Sequence, residues 1–123
     1  MTAPAAAPAP VAGNPATRIA VRSVNRIVIV PVAAILRLDA EDNYVRLWAD
    51  RTYLHKETLT ALMARLDPAS FVRVHRSHAM ALSAVRELTP LAHGEFALAL
   101  ADGATVTSGR SYRADVLRAF ELG

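Results

Sequence analysis

The sequence predicts a mainly β domain of antiparallel strands, with one short internal helix and one C-terminal helix. Three observations predict it. Short apolar runs alternate with the two-residue period of half-buried strands, residue pairs suited to tight turns separate consecutive runs, and only two segments carry apolar residues at helical spacing. At 123 residues the chain has the size of one ordinary domain, able to bury a core without staples. It has no cysteine, which excludes a disulfide framework and thiolate metal sites and fits a reducing compartment. No apolar run approaches the roughly 20 residues of a membrane-spanning helix, so a soluble, cytoplasmic chain without membrane attachment is expected. The net charge of +3 falls wholly after Thr17, because Met1 to Thr17 contains no charged residue. A basic domain favours a polyanionic partner such as nucleic acid. Composition offers a plainer explanation, since Arg and Ala abound and Lys56 is the only lysine.

Met1 to Thr17 is Ala/Pro-rich, and Pro4, Pro8, Pro10 and Pro15 interrupt both helix and sheet. It lacks the positive start and continuous apolar centre of a secretory signal. A disordered tail or linker is expected over residues 1–17, and the domain over residues 18–123. Ile19 to Val24 and Ile27 to Val30 read as strands joined by a hairpin at Asn25-Arg26, with Pro31 ending the second. From Ile35 to Glu41, Leu36, Leu38 and Ala40 share one face, and Arg37, Asp39 and Glu41 the other. Asp42-Asn43 makes a turn in which Asn tolerates the left-handed conformation. Tyr44 to Trp48 returns with Val45 and Leu47 inward, and Asp50-Arg51 closes a further hairpin into Thr52 to Lys56. Then the period changes. Leu59, Leu62, Met63 and Leu66 fall on one helical face, Thr58 caps the helix start, and Asp67-Pro68 stops it.

Phe71 to Leu82 joins two apolar runs around a polar, basic knot. Val72 and Val74 alternate with Phe71, Arg73 and His75, as in a half-buried strand. His75 to His78 reads as a loop with Arg76 projecting from the strand end. Such a guanidinium fork suits a phosphate or a guanine edge; a solvated loop arginine beside a hydrogen-bonded histidine explains the pattern equally well. Arg73 is expected to be structural, paired with a neighbouring acid. Ala84 to Thr89 and Glu95 to Leu100 read as strands joined through Leu91 to Gly94. Asp102-Gly103 is the clearest hairpin signal in the chain. Ser108-Gly109-Arg110-Ser111 forms a second exposed polar knot. Ser111 caps a terminal helix whose Tyr112, Val116, Leu117 and Phe120 share a face, and whose start offers N–H groups to a phosphate.

Nothing assembles an enzyme site: the chain has no Gly-rich phosphate loop, no Gly-x-Ser-x-Gly and no carboxylate pair with an acid-base partner. His75 and His78 flank a loop with no third ligand in view, so neither metal nor cofactor is expected. Asp39, Glu41 and Asp42 read as a turn-exposed acidic face. Three polar knots recur at strand ends: Asn43-Tyr44 with Arg46, Arg76-Ser77, and Arg110 with Arg113. Each pairs a donor fork or an amide with a group able to touch phosphate.

Three segments that include these knots give the chain a family likeness. They are Asp39-Ala40-Glu41-Asp42-Asn43-Tyr44-Val45-Arg46, Phe71-Val72-Arg73-Val74-His75-Arg76-Ser77 and Arg110-Ser111-Tyr112-Arg113. In this order the chain resembles the LytTR DNA-binding domain of bacterial transcription regulators, the LytR/AgrA type, from about Arg18 to Phe120. It departs from the family pattern at Ala81, often Asn, at Gly109, often Ser, and at His78-Ala79, usually an aromatic and an aliphatic residue. The resemblance implies an elongated antiparallel β-sheet fold whose loops enter successive major grooves of double-stranded DNA. It implies base-facing roles for Asn43, Tyr44, Arg76 and Arg110. Arg46, Ser77 and Arg113 would hold phosphates, with a surface ion pair as the alternative for Arg46 and Arg113. It also implies a response-regulator output domain, downstream of a receiver or sensor. The function expected is sequence-specific transcription regulation as a homodimer on repeated half-sites. The rival is a LytTR-like interaction module that pairs with another regulator or sensor instead of DNA.

Overall fold

The computed structural model describes residues 14–122. Strands β1 (Arg18–Ser23) and β2 (Arg26–Pro31) form a hairpin, followed by β3 (Arg37–Glu41), β4 (Tyr44–Trp48), β5 (Thr52–Lys56) and helix α1 (Leu59–Arg65). Then come β6 (Phe71–His75), β7 (His78–Ala81), β8 (Val85–Pro90), β9 (Phe96–Leu100), β10 (Thr105–Thr107) and helix α2 (Arg113–Ala119). The strands make a two-stranded sheet, a five-stranded sheet ordered β5-β4-β3-β7-β6 and a three-stranded sheet ordered β10-β9-β8. Every pairing is antiparallel.

Two apolar cores flank the same ribbon. On one side Ile19, Val21 and Val30 of the hairpin pack with Leu38, Val45 and Leu47, with Leu59, Leu62 and Leu66 of the α1 region, and with Phe71, Ala79 and Ala81. On the other, Val72, Val74 and Met80 pack with Phe96, Leu98, Leu100, Val106 and Val116. Ribbon β6–β7 is therefore buried on both faces rather than half-buried as its alternation suggests. That explains why Phe71-Val72 and Ala79-Met80-Ala81 are continuous apolar runs. Helix α1 is held as expected: Thr58 Oγ1 accepts from Ala61 N–H at 3.1 Å, and the backbone leaves helical geometry at Leu66.

Several local expectations are corrected. The first turn is Val24-Asn25, not Asn25-Arg26, because the ladder pairs Ile19 with Val30 and Val21 with Val28. Core pairing sets the register over turn propensity, leaving Val24 93% exposed. In the Asp42-Asn43 turn, Asp42 takes the positive φ of 58°, not Asn43. Leu36 is exposed while Ile35 is buried, because a 3-10 turn over Val32–Ala34 precedes β3 and the alternation begins only at Arg37. Ser108 is buried, its Oγ accepting from Phe96 N–H at 2.9 Å. Ser111 does not cap α2. It lies inside a 3-10 turn over Arg110–Tyr112, and Tyr112 stands at the helix start without a side-chain cap. The seat for phosphate expected at a Ser111-capped start is accordingly not formed in that way.

The tail expectation for residues 1–17 lies outside the described residues up to residue 13. At its end, Ala16 N–H donates to the Arg65 carbonyl at 2.8 Å, and the Thr17 carbonyl accepts from Val32 N–H at 2.9 Å. No helix among the described residues is long and apolar enough to cross a membrane.

Candidate nucleic-acid interface

Strand register brings the polar knots to one end of the five-stranded sheet. β3 runs into the Asp42-Asn43 bend and β4 leaves it, with Glu41 opposite Tyr44. β7 starts at His78 opposite Asp39, and the Ser77 carbonyl accepts from Ala40 N–H at 2.8 Å. The Arg76-Ser77 bend thus lies beside the Asp42-Asn43 bend. β6 is the edge strand, and its Val74 carbonyl accepts from Gly109 N–H at 2.8 Å. That bond brings Arg110, next in sequence, to the same end. A Cβ on Gly109 would lie 3.5 Å from both the His75 and Tyr112 rings, and its φ is −81°. The space and backbone there accept a serine as readily as this glycine.

The side chains at this end differ in how free they are. Asn43, Arg76 and Arg110 are exposed, and Tyr44 is 38% exposed. Arg76 is engaged through its backbone carbonyl, which accepts from Arg73. Its guanidinium, like that of Arg110, has no hydrogen-bonding or ionic partner among the described residues. Arg46 is committed: its Nε donates to Glu41 Oε2 at 2.6 Å and its Nη2 to Oε1 at 3.1 Å. The hydrogen bond and charge of Glu41 raise the Arg46 pKa further. Arg113 leans over the Phe96 ring at 5.2 Å and reaches the Gly94 carbonyl at 3.4 Å.

A polar network backs these bends. Asp39 is only 16% exposed and accepts from Trp48 Nε1 at 2.8 Å and His78 Nδ1 at 2.7 Å, with Arg37 Nη2 at 3.3 Å. It is a braced acid, unlike the exposed acidic face expected there. His75 and His78 rings stand 5.1 Å apart. His75 Nδ1 accepts from Ser77 N–H at 3.0 Å, so that nitrogen is unprotonated. Burial, followed by the charges of His78, Arg76 and Arg73, lowers the His75 pKa. Each histidine has its Nδ1 already engaged within the fold, and no group of three metal-binding side chains occurs among the described residues. Behind α1, burial pushes the Glu57 carboxyl up, but hydrogen bonds from Arg65 and His55 outweigh it and leave the pKa lowered.

Two further residues contribute, one with partners other than those expected and one beyond the expected set. Arg73 has no acidic partner among the described residues; its guanidinium donates to Thr60 Oγ1 at 2.8 Å, to the His75 carbonyl at 3.4 Å and to the Arg76 carbonyl. Lys56 ends β5 opposite Tyr44 and is exposed, which adds a cation to the same end. Its signal was available in the turn count, since an odd number of reversals separates β4 from β5.

An antiparallel domain that collects basic bends at one sheet end defines a class, and comparison with known proteins gives it a name. The profile of the LytTr DNA-binding domain matches residues 25–121, and the chain belongs to this family of DNA-binding domains. A solved LytTr DNA-binding domain from Bacillus cereus shares the fold, with a TM-score of 0.76 at 24% identity over 85% of this chain and 97% of that one. The sensory transduction protein LytT of Bacillus subtilis is 27% identical over 97 residues, which are 78% of this chain and 40% of that protein. The heme-containing CO-sensing transcriptional regulator RcoM 1 of Paraburkholderia xenovorans is 33% identical over 75 residues, 60% of this chain and 28% of that protein. The chain thus spans less than half the length of LytT and of RcoM 1.

Proposed function

We propose that the chain binds double-stranded DNA in a sequence-specific way and serves as the output domain of a bacterial transcription regulator. In this reading the bends carrying Asn43-Tyr44, Arg76 and Arg110 enter the major groove. The observation that carries it is the gathering of these bends at one sheet end, with two arginine forks that lack internal partners among the described residues. A free fork can bond guanine O6 and N7 together, discriminating between bases by about 1–3 kcal/mol. Ser77 and Arg113 hold phosphates, as does Arg46 once it exchanges Glu41 for the backbone; the carboxylate makes Arg46 the weakest of the three. Two copies occupy repeated half-sites, and a receiver or sensor domain acts upstream.

Titration of a promoter fragment at increasing salt tests this. Phosphate neutralisation gives a log-log slope of about −0.9 per phosphate contacted, and a flat response would contradict DNA binding. The rival reading, a module that pairs with another regulator or sensor instead of DNA, is favoured by Val24, Ile27 and Ile29, which leave apolar surface on the β1–β2 hairpin. Association with a regulator that survives high salt, with no binding to any duplex, would select it.

A further inference from the structure

We infer that Arg73 is a positioning residue that sets the direction in which Arg76 leaves the sheet; the inference rests on the DNA-binding reading above. Two-residue hairpins ordinarily reverse through turns with a positive φ at one or both central residues, because those turns match the strand twist. The Arg76-Ser77 bend has none: among the described residues the non-glycine positive φ values belong to Asp42, His93 and Glu121. The ladder is also shifted between Arg73 and His75, so that Arg73 pairs with Ala79 and His75 with His78. Such a bend does not hold its shape by backbone preference alone.

Side chains supply what the backbone lacks. The guanidinium of Arg73 donates to the carbonyls of His75 and Arg76, one before the bend and one within it, and its third donor is tied to Thr60 Oγ1 on α1. Ser77 N–H is taken by His75 Nδ1 and its carbonyl by Ala40 N–H. Both peptide groups around Arg76 are thereby fixed, and Arg73 is the member that links the bend to the helix. A lysine retains the charge but has no planar fork with which to hold two carbonyls and a hydroxyl together. Arg73 touches no base in this scheme; it acts through Arg76.

The test is selection from a randomised duplex pool with the full chain, comparing wild type, Arg76→Ala, Arg110→Ala, Arg73→Lys and Thr60→Val. Arg73→Lys is expected to flatten base preference about tenfold at the positions that Arg76→Ala flattens, and to leave intact those that Arg110→Ala flattens. Thr60→Val, on the exposed side of α1, is expected to cause a smaller loss at the same positions. Retained preference at the Arg76 positions in Arg73→Lys, or equal flattening everywhere, would overturn the assignment. If Arg73→Lys does not fold, unchanged preference in Thr60→Val overturns it instead. Amide exchange separates this from the DNA-binding reading: loosening the bend should speed Ser77 N–H exchange about tenfold in Arg73→Lys, or measurably in Thr60→Val, without DNA. Absence of any base preference in wild type contradicts the DNA-binding reading, while unchanged Ser77 exchange in the folded variants contradicts the Arg73 assignment.

Discussion

At Asp42-Asn43 the chain reverses by its own means, with Asp42 in the left-handed region at φ 58°. A few residues away across the sheet, Arg76-Ser77 reverses with no such residue and is held from outside by Arg73, His75 and Ala40. The neighbours do similar work at one sheet end but store their shape differently. The first carries it in local conformational preference, so it tolerates change around it. The second carries it in hydrogen bonds from other parts of the chain, so it can be loosened without touching the bend itself. A surface that presents Arg76 in one direction gains preorganisation from those bonds, because less ordering remains to be done on binding.

The comparison can be broken most strongly at the tip of the braced bend. Arg76→Ala should cost about 10- to 100-fold in preference for the best duplex over its single-base variants, read by competition binding, with fold stability unchanged. Arg73→Ala should come next. It leaves two carbonyls of the bend without a charged donor, and unfolding in urea should show a loss of about 1.5–3 kcal/mol. At the self-sufficient bend, Asp42→Val should cost about 1–2 kcal/mol, because a β-branched residue is forced to a left-handed φ. Asp42→Gly should cost almost nothing there, whereas Arg76→Gly should bring no gain in stability, since the bend needs no positive φ.

A pH series sharpens the contrast further. His75 must be neutral at Nδ1 to accept the Ser77 amide, and its pKa is lowered by burial and by His78, Arg76 and Arg73, with Asp39 reaching the pair only through His78. The unfolded chain therefore binds this proton more readily. The contribution is intact above about pH 6.5, the unfolded value, and is lost as pH falls through the lower folded value. Unfolding midpoints at pH 7.5 and about 5.5 should differ more in wild type than in His75→Gln, and Ser77 amide protection should fall with acid while that of Tyr44 does not. The smallest effect is expected from Arg46→Ala: its pair with Glu41 is exposed and screened by solvent, so unfolding in urea should be nearly unchanged.

The same contrast marks how much was legible in the sequence. The Asp42-Asn43 and Asp102-Gly103 reversals, the Thr58-capped helix and the inward faces of β4 were readable because their signals lie within a few residues. One partner of Arg73 is Thr60, 13 positions away, that of Ser108 is Phe96, 12 positions away, and that of His78 is Asp39, 39 positions away. Period and turn chemistry carry no trace of such pairings. Arg73 is structural, as its strand position suggests, but its partners are carbonyls and a hydroxyl where an acid is expected. Alternation reports one face at a time, so β6 reads as half-buried, and a ribbon between two cores hides the second face. The three knots were visible as residue types; only register shows that they share a sheet end.

Amide chemical shifts recorded during titration with a duplex selected by the chain test the central claim most directly. The account predicts that the amides of Asn43, Tyr44, Arg76, Ser77 and Arg110 shift together at one stoichiometry, ahead of the rest of the domain. Shifts confined to the β1–β2 hairpin, with those five unmoved, would contradict it.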